Sequence, residues 1–255
     1  MLHTGLVSVT FRKLSVPAII TLVKQAGLEG IEWGGDIHVP PGDLVNAKSV
    51  RQQTLEAGLQ IAAYGSYYRL GTGQLPFESV LETAVALGAP TIRVWAGTVG
   101  SRAADSAVWR EVVRDGIEIA DQASEAGLSI SLEFHPDTLT DTSQSTVWLL
   151  KEIERPNVFS YWQPLLDGTR EANAQGLTEI LPWLGNVHVF HWIPQYERHP
   201  LAEGEADWKT YLRLICGNPK ARFLMLEFVQ NDAEQAFLQD TQVLRGWLSS
   251  YHTDH

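Results

Sequence analysis

The sequence predicts a (β/α)8 TIM barrel, a single α/β domain of eight parallel strands that alternate with helices. Short runs rich in β-branched and other apolar residues recur about every thirty residues, the length of one strand–helix unit. The segments between these runs carry helical periodicity, and no linker or change in composition divides residues 1–255. Eight such units without a break favour a closed ring of strands over an open doubly wound sheet.

The eight predicted strands are short apolar runs that end in polar or charged residues. The first run is GLVSVT, and later examples are SISLEF, NVHVFH and FLMLEF. The predicted strands cover residues 5–10, 29–34, 59–65, 91–96, 128–134, 157–162, 186–191 and 222–228.

The predicted helices often end in a small or leucine residue followed by glycine. Glycine just beyond a helix adopts the left-handed conformation that closes it. Between residues 105 and 126, apolar residues keep a spacing of three to four, which is typical of an amphipathic helix. The last residues, about 250–255, are expected to form a loose tail. The helix-ending pairs are Ala26-Gly27, Ala57-Gly58, Leu87-Gly88, Ala126-Gly127 and Leu184-Gly185.

The charge balance excludes several classes of partner. The net charge is −11, from 19 basic and 30 acidic residues, so neither nucleic acid nor an anionic membrane surface is an expected partner. Cys216 is the single cysteine, which excludes an intrachain disulfide. Met1 precedes a strand-like run where a signal peptide would have a basic start and an apolar segment, and no stretch reaches membrane-spanning length. We therefore expect a cytoplasmic protein.

Three strand ends carry residues that bind metal ions. Glu133 ends the fifth strand, His188 lies in the seventh and Glu227 ends the eighth. Taken singly, each glutamate has the alternative of a salt bridge and the histidine that of a hydrogen-bonded core residue. In a parallel barrel, however, the carboxyl ends of the strands converge on one mouth. The three together predict a site for one divalent ion, and the sequence does not choose among Mn²⁺, Mg²⁺, Co²⁺ and Zn²⁺.

Nearly the whole chain resembles the xylose-isomerase-like barrels, which include sugar isomerases and epimerases, inosose dehydratases and AP endonucleases. Single motifs are short, but their order along eight units is specific. The matching segments are GIEWGGDIH (30–38), TIRVWAG (91–97), LEFH (132–135), NVHVFHW (186–192) and LMLEF (224–228).

The resemblance implies that Glu133, His188 and Glu227 hold the metal ion. The family commonly adds an Asp after the sixth strand, where this chain has Gln163. An amide oxygen can still bind an ion but brings no charge, so we expect weaker binding and a more strongly polarising ion. In the alternative, Gln163 only hydrogen-bonds the substrate and no ion is bound. His191 stands where relatives often have Asp.

Further residues near the strand ends are candidates for substrate binding. Each has a structural alternative: salt bridges for the charged residues, packing for Trp95 and the histidines, and an exposed loop for His38. The candidates are Glu32, His38, Arg93, Trp95, His135, His191 and Arg198.

The resemblance and these residues predict a metal-dependent isomerase or epimerase of a sugar or keto-polyol. Glu133 and Glu227 would be the catalytic acid and base, and the ion would stabilise an enediolate. One alternative is a keto-cyclitol dehydratase with the same ion and base, in which His135 or His191 protonates the leaving hydroxyl. Another is a metal-free barrel that binds a sugar. An AP endonuclease is disfavoured by the acidic charge, and whether the protein is a homo-oligomer stays open.

Overall fold

Eight parallel strands pair in chain order and the eighth pairs with the first, which confirms the predicted (β/α)8 barrel. The computed structural model describes residues 2–166, 168–192, 197–218 and 223–252. The strands are β1 (His3–Val7), β2 (Gly30–Gly34), β3 (Gln60–Arg69), β4 (Thr91–Trp95), β5 (Ser129–Glu133), β6 (Val158–Trp162), β7 (Leu184–Val189) and β8 (Phe223–Leu226). The helices are α1 (Val16–Ala26), α2 (Leu44–Glu56), α3 (Phe77–Leu87), α4 (Ser106–Glu125), α5 (Ser143–Ile153), α6 (Arg170–Ile180), α7 (Glu205–Cys216) and α8 (Glu234–His252).

The predicted strands overlap all eight observed strands, and the largest differences are in β1 and β3. Strand β1 ends before its predicted limit because Ser8–Phe11 form a 3₁₀ turn, in which the Ser8 hydroxyl accepts a hydrogen bond from the Gly34 N–H (2.9 Å). Strand β3 continues to Arg69, with a shift in its pairing to β4 after Gly65. This irregular extension brings residues to the barrel mouth that the predicted strand does not reach.

The helix ends follow their predicted signals with one exception. Gly27 closes α1 in the left-handed conformation (φ 69°), and its N–H donates to the Lys24 carbonyl. Helix α4 begins after Asp105, whose side chain accepts from two backbone N–H groups of the first turn. The exception is the pair Leu184-Gly185, which lies inside β7, because α6 ends at Ile180 and a 3₁₀ turn leads directly into the strand.

The main apolar core lies between the barrel and the ring of helices. Along β4, Ile92 and Val94 are fully buried in this layer, together with residues such as Leu87 of α3 and Leu132 of β5. Arg93, which stands between Ile92 and Val94, belongs to the other face of the strand. The alternation of side chains along each strand thus separates an apolar outer layer from the barrel interior.

The amino-terminal end of the barrel interior is closed by Phe223 and Met225 of β8. A Cβ on Gly5 would lie 2.6 Å from the Met225 sulfur, and one on Gly30 would lie 2.5 Å from the Phe223 ring. Only glycine leaves room for these side chains. Polar groups occupy the part of the interior between these two side chains and the carboxyl ends of the strands.

Helix α8 continues through the beginning of the predicted tail. The Tyr251 hydroxyl donates to the Lys209 carbonyl (2.8 Å), so the chain is anchored at residue 251. The prediction of a loose tail from about residue 250 is therefore wrong for its first residues, and 253–255 lie outside the described residues. Among the helices that the structure describes, none has the length and apolar character needed to cross a membrane.

Candidate active site

Glu133, His188 and Glu227 meet at the carboxyl end of the barrel interior. The Nδ1 atom of His188 lies 3.6 Å from Oε1 of Glu133 and 3.3 Å from Oε2 of Glu227. One ligand atom from each of the three residues can be chosen so that all lie within 4.8 Å of one another, and all three side chains are buried. The structure thus brings together three residues that are separated by up to 94 positions in sequence (227 − 133).

Strand geometry explains this convergence. On β5, Leu132 packs into the apolar outer layer, so its neighbour Glu133 points to the interior. On β7, Val187 and Val189 belong to the outer layer, which turns His188 inward. Glu227 follows the last residue of β8 and continues the same alternation after Leu226. All three groups lie at or near the carboxyl ends of their strands, which converge on one mouth of the barrel.

Two hydrogen-bond donors orient the Glu133 carboxylate. Nη1 of Arg93 and Nε1 of Trp95 both donate to its Oε2 atom, which leaves Oε1 facing His188. Arg93 is 2 % exposed and also donates from Nε to Oε1 of Glu32 (2.7 Å). A buried guanidinium between two carboxylates stabilises both anions, and removing any one of the three groups would leave a buried charge without its partner.

Gly65 makes room for this ion-pair network. A Cβ at this position would lie 2.7 Å from Nη2 of Arg93 and 2.7 Å from Oε1 of Glu32. No side chain fits there without displacing the pair. A glycine on β3 is therefore required by the charged groups on the neighbouring strands β2 and β4.

His188 connects the carboxylate pair with Glu32. Its Nδ1 atom hydrogen-bonds Oε1 of Gln163 (2.9 Å), and its Nε2 atom faces Oε2 of Glu32 at 3.8 Å. Burial disfavours the charge of Glu32 and is the largest single influence, but Arg93 and His188 together outweigh it and lower the pKa of Glu32 to about 2. Glu32 is therefore an anion beside the far nitrogen of the imidazole ring.

Burial and the surrounding charges shift the pKa of Glu227, and likewise that of His188, in opposite directions. Burial raises the pKa of Glu227 to about 7, although the nearby His188 partly opposes this. For His188 burial lowers the pKa, but the carboxylates of Glu227, Glu32 and Glu133 together raise it above the ordinary value. The protonation of Glu227 and that of His188 therefore depend on each other.

The donor set fits one divalent ion. Two carboxylate oxygens, one imidazole nitrogen and the amide oxygen of Gln163 are hard or borderline ligands that Mn²⁺, Mg²⁺, Co²⁺ and Zn²⁺ accept. Histidines that bind a metal through one nitrogen generally direct the other to a carboxylate, as Nε2 of His188 does toward Glu32. Arg93 and Trp95 occupy only Oε2 of Glu133, so Oε1 is available to an ion.

A cavity of about 730 Å³ opens above these groups toward the barrel mouth. Its volume is within the usual range for small-molecule sites. Six of the residues predicted for the site line the cavity, while Glu32 and His188 are fully buried and are not among its lining residues. The six are Arg93, Trp95, Glu133, His135, Gln163 and Glu227.

Three candidates for substrate binding lie outside the cavity lining. His38 is buried between the Ser8 hydroxyl (3.0 Å) and the Leu14 carbonyl (3.3 Å), and burial lowers its pKa. His191 turns away from the mouth and packs against Gly204, where a Cβ would lie 2.6 Å from its Nδ1 atom. Arg198 forms an ion pair with Asp232.

Several lining residues were not among the predicted ones. Tyr67 lies in the irregular part of β3, Asp137 in the loop after β5 and Phe228 directly after Glu227. All three have positive φ (59°, 58° and 48°), a conformation that is costly for residues other than glycine and that is concentrated at functional sites. Backbone conformation of this kind leaves no pattern in the sequence. Arg12 and Asp141 also line the cavity but were not predicted to do so, because both lie in segments between a strand and the following helix.

The chain matches known proteins over most of its length. A sequence profile described as "Xylose isomerase-like TIM barrel" matches residues 20–247, and the chain therefore belongs to this family. The curated 3-dehydroshikimate dehydratase of Bacillus anthracis is 25% identical over 205 residues, which cover 72% of this chain and 70% of that protein.

Two solved structures share the fold. The probable 3-DHS dehydratase AsbF, involved in petrobactin synthesis in Bacillus anthracis, has a TM-score of 0.81 and 20% identity, over 96% of this chain and 99% of that one. A xylose isomerase-like TIM barrel protein from Mycobacterium smegmatis, solved in complex with magnesium, has a TM-score of 0.72 and 16% identity, over 98% and 97% of the two chains.

Proposed function

We propose that this protein is an enzyme that moves a proton at a carbon atom next to a carbonyl group in a sugar or keto-polyol, as an isomerase or epimerase. The observation that carries the proposal is the pair of buried carboxylates, Glu133 and Glu227, which both lie within 3.6 Å of Nδ1 of His188. The membership in a family of xylose isomerase-like barrels supports the same reaction class.

The two glutamates would divide the work of proton transfer. Arg93 and Trp95 hold Glu133 by Oε2, so that Oε1 is presented in a fixed position. Glu227 has no such pair of donors among the described residues, and burial raises its pKa to about 7 when no ion is bound, so it holds a proton more readily than an ordinary glutamate. A base on one strand and an acid on another can remove a proton from one side of a carbon and return it from a different direction.

The residues that would hold the metal ion are Glu133, Gln163, His188 and Glu227. When bound, Mn²⁺, Mg²⁺, Co²⁺ or Zn²⁺ would supply positive charge that stabilises the negative charge developing on the substrate oxygens. The Glu32 carboxylate, which faces the opposite nitrogen of His188 at 3.8 Å, would favour the ring orientation that directs Nδ1 to the ion. Arg93, Trp95 and His135 would contact the substrate from the cavity wall.

A dehydratase is the second candidate, and the 25% identity to 3-dehydroshikimate dehydratase favours it. The first step would again be removal of a proton next to a carbonyl group, after which a hydroxyl group on the next carbon leaves. That departure needs a proton donor. His135 lines the cavity and packs against Trp95, with ring centroids 4.7 Å apart, so it could serve in this role on a keto-cyclitol.

The test is solvent deuterium exchange followed by proton NMR. The protein is incubated in D₂O with Mn²⁺ and a panel of ketoses and keto-cyclitols, and with the ion removed by a chelator. Exchange of the proton next to the carbonyl, with an epimer or isomer as product, is the expected result. Loss of water and a conjugated product that absorbs in the ultraviolet would instead identify the dehydratase. Absence of exchange with every compound would refute the proposal.

The ligand role of Gln163 has its own test. Gln163→Asp adds a negative charge to the donor set, so the Mn²⁺ affinity measured by calorimetry is expected to rise about tenfold or more. Gln163→Leu removes the amide oxygen and should lower the affinity. Equal affinity in both variants would show that Gln163 does not bind the ion. Native protein that binds no ion and gains no thermal stability with Mn²⁺ would favour the metal-free sugar-binding barrel.

A further inference from the structure

We infer that the cavity selects free sugars or polyols over their phosphate esters. This inference rests on the proposed function, because it concerns the substrate of the same site. It follows from the charges that line the cavity and from the partners that each of them already has.

Among the described residues, two arginines line the cavity, and both form ion pairs with carboxylates of the protein. Arg12 donates to Asp36 and also to the Tyr67 hydroxyl (2.9 Å). Arg93 is held between Glu32 and Glu133. Phosphate and carboxylate ligands are usually bound by guanidinium groups whose N–H donors point at the ligand. An anionic substrate would therefore have to displace an existing partner in order to reach either arginine.

Two further arginines near the strand ends are likewise directed elsewhere. Arg198 forms an ion pair with Asp232 and stands over the Phe228 ring, 4.6 Å from its centroid. Arg69 lies over the Trp95 ring at 3.8 Å and donates to the Gly97 carbonyl (3.3 Å). Neither is among the residues that line the cavity.

The turn after the eighth strand, one of the places where many TIM barrels bind phosphate, carries an acidic residue here. Such barrels bind phosphate with the loops after the seventh and eighth strands and with the start of a short helix. In this chain a 3₁₀ turn, Gln230–Asp232, follows β8, and its first turn contains Asp232. The carboxylate of Asp232 binds Arg198, so the charge that could attract a phosphate is already neutralised.

The cavity wall adds negative charge next to the proposed catalytic pair. Asp137 and Asp141 both line the cavity, and neither forms an ion pair within the described part of the chain. Asp141 accepts hydrogen bonds from the Ser101 N–H (3.0 Å) and the Ser145 hydroxyl (3.4 Å), which fix its carboxylate. Carboxylates accept hydrogen bonds from sugar hydroxyls but repel anions.

Aromatic rings supply the remaining contact surface for a neutral sugar. Tyr67 and Trp95 meet edge to face with centroids 5.3 Å apart, and Trp192 and Phe228 lie 5.6 Å apart. All four line the cavity. Such rings pack against the C–H faces of sugars, while the carboxylates around them bind the hydroxyl groups. The combination is suited to a polyol without a charged group.

The experiment is a calorimetric comparison of matched ligands with the full-length protein in Mn²⁺. Xylitol, ribitol, sorbitol and mannitol are each titrated beside their terminal phosphates, and each phosphate is also titrated into protein-free buffer to subtract its binding to Mn²⁺. At least one neutral polyol is expected to bind about tenfold more tightly, or better, than its phosphate. Equal or tighter binding of the phosphates, or no binding of any neutral polyol, would overturn the inference.

A double variant tests the cause of the discrimination. Asp137→Asn and Asp141→Asn together remove two negative charges, and asparagine tolerates the positive φ of residue 137 and keeps the oxygen at residue 141. The gap in affinity between polyol and phosphate is expected to narrow by about threefold or more. An unchanged gap would contradict the electrostatic explanation.

Deuterium exchange separates this inference from the proposed function. If neutral polyols bind but no ketose exchanges its proton, the inference holds and the proposed function fails. If exchange occurs only with phosphorylated ketoses, the proposed function holds and the inference fails.

Discussion

The two buried regions of this barrel, the layer under the helices and the interior, have opposite chemistry. The outer layer is built from aliphatic side chains such as Leu87 and Leu132, which are fully buried. The interior contains Glu32, Arg93 and His188, which are buried to a similar extent. Burying aliphatic groups stabilises the fold, whereas burying charges costs free energy unless each is paired. The outer layer therefore supplies stability, and the interior is organised for chemistry.

Adjacent residues of one strand belong to these two different regions. Leu132 and Glu133 are neighbours on β5, yet one packs under the helices and the other faces His188. The comparison therefore predicts that substitutions one position apart will affect different properties.

Removing either proposed catalytic carboxylate should have the largest effect. Glu133→Gln and Glu227→Gln keep the side-chain size but remove the charge, so the rate of deuterium exchange is expected to fall about 10³-fold, within the range for loss of an acid or base. Glu152→Gln, on the exposed face of α5, is the matched control and should retain full activity. If either site variant kept more than about a tenth of the native rate, its carboxylate would have no catalytic role.

Leu132→Ala should lower the free energy of unfolding and leave the exchange rate nearly unchanged. The variant leaves a cavity in the outer layer, and we expect it to lower the free energy of unfolding in urea by about 2–5 kcal/mol. Its exchange rate per folded molecule should stay within about fivefold of the native rate, since Glu133 is held independently by Arg93 and Trp95. A loss of less than about 1 kcal/mol would contradict the assignment of stability to this layer.

Gly65→Ala should disturb the interior through sterics alone. The added methyl group would lie 2.7 Å from both Arg93 and Glu32, so we expect a loss of about 1–3 kcal/mol in stability together with reduced activity. Gly246→Ala on α8 is the control, because its Cβ would meet no atom within 4 Å. The control should be neutral or stabilised by up to about 1 kcal/mol. Equal behaviour of the two variants would show that Gly65 is not needed for the ion pairs.

Asp240 provides the smallest predicted effect, a change in the pH dependence of stability. Burial raises its pKa to about 6, and its carboxylate accepts from the Leu201 N–H (2.8 Å). The acid therefore contributes stability that is fully present below its unfolded pKa of about 3.9 and is lost as the pH rises through about 6.

Asp240→Asn keeps the hydrogen-bond acceptor and removes the titration. The variant should be more stable than the native protein at pH 7.5 by about 1–2 kcal/mol, with a difference that disappears near pH 4. Urea unfolding at several pH values measures this, with Glu152→Gln again as the control. A variant that is less stable than the native protein at pH 7.5 would contradict the raised pKa of Asp240.

The sequence predicts the fold well because its signals are local and repeated. Runs of apolar residues define the strands, and glycines such as Gly27 and Gly88 close helices in the left-handed conformation. The convergence of Glu133, His188 and Glu227 also follows from local information, because each lies at the same end of a strand whose direction is known once the barrel is predicted.

The sequence does not predict which polar side chains face the cavity. His38 and Arg198 lie in the expected loops but are bound to other parts of the protein, and their partners come from distant positions. Tyr67 and Phe228 reach the cavity because of positive φ angles, which L-amino acids rarely adopt and which no pattern announces. The orientation of a side chain in a loop depends on tertiary contacts, and these were available only from the structure.

The most direct test of the proposed metal site is the position of Mn²⁺ in a crystal of this protein, measured by its anomalous scattering. We predict one strong peak at about 2.0–2.3 Å from Oε1 of Glu133, Oε2 of Glu227 and Nδ1 of His188. A crystal grown in Mn²⁺ with no peak among these three side chains, or with the ion bound elsewhere in the cavity, would contradict it.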